Sequence, residues 1–171
     1  MIYRDTQDLI DAIKPYCSLD TLSISTENRD WRGKLYRSDL VWILEKYFVG
    51  FEVFDNEIRV QYFEDHVHLE QWTEEDKTSH VREAKELLIK LFTYPIVKRE
   101  VFKGKRRIKY EYFFINDEGE RERVNGPWFI GLFGLSLRKE TVREKVFKYS
   151  LANHDFEPFN PSLNIDDQEQ G

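Results

Sequence analysis

Cysteine is nearly missing from this chain: Cys17 is the only one in 171 residues. An intramolecular disulfide is therefore impossible, and a zinc site of four thiolates is excluded. A lone thiol suits a reducing compartment, so cytoplasmic localisation is the expectation. Long apolar runs are missing as well. Stretches such as Leu40–Leu44 fall far below the roughly 18 residues of a membrane span, so no membrane association is expected. The opening Met1-Ile2-Tyr3-Arg4-Asp5 enters a polar, helix-like pattern without the apolar core of a secretory signal.

The signatures of several reaction classes are also lacking. No Gly-Lys-Ser/Thr, no G-x-G-x-x-G and no G-x-S-x-G occurs. The glycine-containing stretch Gly126–Gly134 carries bulky rings where a phosphate loop would need free amides. Cys17 has no flanking histidine or cation to favour its thiolate and reads as a buried structural cysteine. No cofactor is expected, and the balance points away from an enzyme.

What is present is charge and aromatic surface. Charged residues make up 34% and aromatic residues 15%, with a formal net charge of −6. The acidic balance disfavours wholesale nucleic-acid binding and suits cationic protein partners, although a local basic patch escapes that average. The length fits one domain with an ordinary core. Residues 1–152 read as that domain, and 153–171 as an acidic, proline-containing, partly disordered tail.

Along the chain, Thr6 caps a short helix carrying Leu9, Ile10 and Ile13 that ends by Pro15. Thr21–Ser25 is a possible strand, and Thr26–Lys34 a loop with an unusual Trp31. Leu40–Val49 is apolar nearly all round and predicts a buried helix ending at Gly50, with a strand as the rival reading. Phe51–Phe54 and Ile58–Tyr62 form a hairpin, with a bulge expected at Tyr62-Phe63. Val81, Ala84, Leu88 and Leu91 stripe a second long helix stopped before Pro95. Asn116-Asp117-Glu118-Gly119 is a turn leading to a charged edge strand over Glu120–Val124. Trp128–Gly134 reads as a central strand, and Val142, Val146 and Tyr149 line a final helix, with Glu144 and Lys148 as a supporting pair. The expected class is α+β: a mostly antiparallel sheet built from hairpins and packed against three or four helices.

The Ile96–Ile115 hairpin is the most telling segment. With Lys103-Gly104 as its turn, Val97, Val101, Ile108, Tyr110, Tyr112 and Phe114 share a buried side. Lys98, Glu100, Lys105, Arg107, Lys109 and Glu111 then form a basic outer side whose stacking rings point the wrong way for base recognition. A second mixed patch, Trp31, Arg32, Tyr36 and Arg37, combines residue types that anchor interfaces. Glu64, His66, His68 and Glu70 could offer imidazoles and carboxylates to one metal ion, or do acid–base work, if a third ligand such as His80 or His154 comes close.

The leading expectation is a non-catalytic, cytoplasmic protein-interaction domain, an inhibitor or neutralising partner of another protein. Trp31, Arg32, Tyr36, Arg37, Lys98, Lys105, Arg107 and Lys109 are its candidate contacts. A small metal-dependent or acid–base enzyme centred on His66 and His68 is the alternative. Nucleic-acid association through Lys98, Lys105, Arg107 and Lys109 comes third.

Overall fold

The computed structural model describes residues 2–31, 34–71, 78–125, 128–129 and 140–160, with the backbone alone at 29–31, 34 and 128–129. The chain divides into two compact units, Met1–Phe92 and Thr93–Gly171. The first carries 12 Lys and Arg against 19 Asp and Glu, the second 14 against 13. The acidity of the protein therefore resides in its first unit.

That unit begins with α1 (Arg4–Ile13), whose Leu9, Ile10 and Ile13 are buried as the spacing predicts. Tyr3, not Thr6, takes the N-cap position. Thr6 instead lies inside the helix and donates its hydroxyl to Asp39, 3.0 Å away. Five antiparallel strands follow in consecutive order: β1 (Ser23–Trp31), β2 (Lys34–Leu44), β3 (Val49–Val53), β4 (Glu57–Tyr62) and β5 (Asp65–Glu70). Register places Val41, Phe51, Val60 and Val67 side by side on one face, with Asp39, Val53, Ile58 and Leu69 next to them. The other face carries Leu40, Glu52, Arg59 and His68. Cys17 is buried and its thiol is pushed up to about 11 by desolvation, as befits a structural thiol. The unit closes with α2 (Ser79–Thr93), where Val81, Ala84, Leu88 and Leu91 are buried.

The second unit is a six-stranded antiparallel sheet. Its path runs β11 (Asp155–Pro158), β10 (Glu140–Ser150), β6 (Ile96–Lys103), β7 (Arg106–Ile115) and β8 (Arg121–Arg123), with β9 (Trp128–Phe129) also paired to β7. Gly119, at φ +79°, and the Asn116 side chain, which accepts from the Glu118 and Glu120 amides, form the expected turn. β8 is the exposed edge strand that the charge pattern suggested. Phe156 on β11 packs edge-on against Tyr149, with ring centroids 5.5 Å apart.

The expectation of a sheet packed on three or four helices is wrong: the described residues hold two α-helices and are predominantly β. Two helical readings failed for identifiable reasons. Leu40–Leu44 lies on β2 between β1 and β3, so it is apolar on both faces of a sheet and not around a helix. Only the single 3₁₀ turn Glu45–Tyr47 interrupts the strands there. Val142 and Val146 are four apart, a spacing that a strand also keeps on one face. Of the expected Thr26–Lys34 loop, Thr26–Trp31 continue β1 and Lys34 opens β2, paired antiparallel. The break in alternation at Tyr62-Phe63 is a two-residue turn and not a bulge, because Tyr62 pairs with Asp65 across it.

Candidate functional site

The basic hairpin is present, but its register differs from the one the sequence suggested. Gly104-Lys105 makes the turn, with Gly104 at φ +63°, so Lys103 pairs with Arg106 and Phe102 with Arg107. A bulge follows: Val101 pairs with Lys109, leaving Ile108 over. Glu100 then faces Tyr110, Lys98 faces Tyr112 and Ile96 faces Phe114. The expected division into an apolar and a basic side is thereby redistributed. Lys98, Glu100, Phe102, Arg107, Tyr110 and Tyr112 share one face; Arg99, Val101, Lys109, Glu111 and Phe113 share the other.

β10 extends the first of these faces. Arg143 pairs with Glu100, Lys145 with Lys98 and Phe147 with Ile96. Two guanidinium-on-ring stacks result: Arg107 lies 5.1 Å from the Tyr110 centroid and Arg143 4.7 Å from that of Phe102. Glu100 sits between them, with Arg107 at 2.7 Å and Lys98 at 3.4 Å. Burial would raise the Glu100 carboxyl, but these cations outweigh it and hold the group below the usual range. Four cations, Lys98, Arg107, Arg143 and Lys145, thus stand with one carboxylate among rings. Lys98 and Lys145 are directly opposite; Glu100 compensates Lys98, which leaves Lys145 as the like charge across the pair. Lys145 has no carboxylate partner among the described residues.

The opposite face is a neutralising network. Glu111 is only 1% exposed, with Lys109 at 2.9 Å, Arg123 at 2.8 Å and Arg99 at 3.8 Å, although neither oxygen lies in line for a hydrogen bond. Glu144 is held by both terminal nitrogens of Arg121, at 2.8 and 2.9 Å, and lies near Arg99, so the expected Glu144–Lys148 helical pair gives way to cross-strand pairing. Lys109 belongs to this network and not to the stacking face. Lys105 is exposed at the turn.

In the first unit, His66 and His68 share a face of β5 with their rings 4.8 Å apart, and Glu70 follows on that face. Glu64 lies in the preceding turn. Nδ1 of His68 meets the Glu57 carboxylate across the strand pair. Burial, the neighbouring His68 and Arg59 keep the His66 imidazole below its ordinary pKa, so it stays neutral around neutral pH. Among the described residues no three His, Cys, Asp or Glu side chains are placed to hold a metal ion. His80 is buried in the first turn of α2, and His154 occupies a turn at φ +50°.

Of the second mixed patch, Tyr36 is half-buried, while Arg37 lies 4.8 Å over the Tyr3 ring and 3.7 Å from Asp39, tying the chain start to β2. Trp31 ends β1, but its side chain and the whole of Arg32 lie outside the described residues. Arg143 and Lys145 escaped sequence reasoning because they were assigned to a helix. Their alternation with Val142, Glu144 and Val146 was the signal available for a strand. No family model, no curated protein and no solved structure matches this chain.

Proposed function

We propose that this chain is a non-catalytic binding protein whose second sheet takes single-stranded nucleic acid on the face bearing Lys98, Phe102, Arg107, Tyr110, Arg143 and Lys145. The observation that carries this reading is the cross-strand pair Lys98–Lys145 beside two arginine-on-ring stacks. A phosphate pairs with Lys145, which has no carboxylate partner among the described residues, and bases stack on the guanidinium planes, which suits single strands of any sequence. β6, β7, β10 and the turn Gly104-Lys105 carry ten Lys and Arg against four Glu, a local excess on a protein of net charge −6. Such a field steers a polyanion despite the acidic total.

Fluorescence anisotropy of a labelled oligothymidine at low salt tests the reading. Four neutralised phosphates give a log–log salt slope of about −3 for a single strand. Flat anisotropy at low salt ends it.

A partner protein is the second reading. Leu35 is 71% exposed and Ile24 42% on the β1–β2 hairpin, whose β1 is an edge strand open to pairing. A stoichiometric protein captured by the chain and released by Leu35→Glu would favour it.

A further inference from the structure

In the first unit an open pocket of about 230 Å³ is lined by Phe48, Arg59, Gln61, Phe63, Glu64, Asp65 and His66. Its residues are separate from the basic face discussed above. We propose that this pocket binds an uncharged, planar nitrogen heterocycle of nucleobase size.

The backbone gives the first reason. Phe48 and Phe63 both sit at φ +53°, in the left-handed region that bulky side chains rarely enter. Phe48 closes the 3₁₀ turn at a position usually given to glycine, and Phe63 opens the β4–β5 turn at another. The Phe63 ring packs edge-on against Tyr47, centroid distance 6.1 Å. Phe48 stays 60% exposed and is held edge-on by Trp42, centroid distance 6.3 Å. Trp42 in turn lies over Gly50, where a Cβ would stand 2.9 Å from its ring. Strain kept at two aromatic residues of one pocket is what a ligand clamp requires.

Side-chain chemistry narrows the ligand. Gln61 has no side-chain partner among the described residues, and its amide offers one acceptor and paired donors to a heterocycle edge. Arg59 is engaged by Glu52 at 3.3 Å and Glu57 at 4.0 Å, so its charge is already compensated. The Glu64 carboxylate in the lining disfavours a phosphate. The volume admits one or two fused rings.

Backbone ¹H–¹⁵N NMR titration of the full chain with adenine, cytosine, uracil and adenosine, and with adenosine monophosphate as the charged comparator, tests the proposal. At least one free base should shift the amides of Phe48, Gln61, Phe63 and His66, and the monophosphate should bind more weakly than adenosine. Gln61→Ala should weaken binding roughly tenfold. Phe63→Asn, which tolerates the left-handed turn but gives up the ring, should weaken binding about as much. The proposal falls if no free base shifts these amides or if both variants leave affinity unchanged.

Discussion

Thr6 in α1 and Asp39 in β2, thirty-three residues apart, are joined by a 3.0 Å hydrogen bond in the interior of the first unit. The same carboxylate accepts from the Tyr3 amide at 2.5 Å and the Thr26 hydroxyl at 2.8 Å. One buried side chain therefore fastens the chain start to β2 and β2 to β1. Asp39→Ala should destabilise the protein by about 2–4 kcal/mol, because three donors, the buried Thr6 hydroxyl among them, lose their shared acceptor. Urea unfolding measures this, and a loss under about 1 kcal/mol would contradict it.

Stability should fall in two steps as pH drops. His66 has a folded pKa below its ordinary 6.5, so the unfolded chain takes up that proton first. Its contribution is complete above pH 6.5 and lost as pH falls through the folded value. Asp39 behaves alike below its ordinary 3.8: burial would raise it, but Tyr3, Thr26, Thr6 and Arg37 hold it down. Glu144, lowered chiefly by Arg121, acts in the same direction below 4.5. Urea midpoints between about pH 7.5 and pH 5 should decline in the wild type and flatten in His66→Gln.

Lys145→Glu places a carboxylate opposite Lys98. Stability should rise by about 0.5 kcal/mol as repulsion becomes attraction. Oligothymidine affinity should fall severalfold, and the salt slope should shrink by about one contact. Paired thermal melts and anisotropy titrations separate the two effects. Unchanged binding would remove Lys145 from the surface.

Gly50→Ala should cost about 3 kcal/mol or more, because the new methyl would stand 2.2 Å from the Val41 carbonyl oxygen, where backbone cannot move aside cheaply. Circular dichroism melts check this. A shift of only a degree or two would mean that β2 and β3 part more easily than their pairing implies.

Local pattern was enough for the parts of the fold that depend on nearest neighbours. The α2 stripe, the Asn116–Gly119 turn and the β3–β4 hairpin were all legible, since each is decided by residues within a few positions. Pattern misled where two periods coincide, as at Val142 and Val146, or where both faces of a strand are covered, as at Leu40–Leu44. The candidate site suffered a subtler error. All of its hairpin residues were visible, but one unpaired residue, Ile108, decides which of them share a face.

The sequence by itself determined the scarcity of thiol chemistry, the concentration of cations near Lys103–Lys109 and the aromatic content of the strands. Tertiary structure alone decided that Tyr110 shares a face with Arg107, that Lys145 stands opposite Lys98, and that Phe48 and Phe63 line one pocket. The reason is physical: a strand's side chains alternate, so a single bulge or turn residue reassigns whole faces, and its location depends on the partner strand.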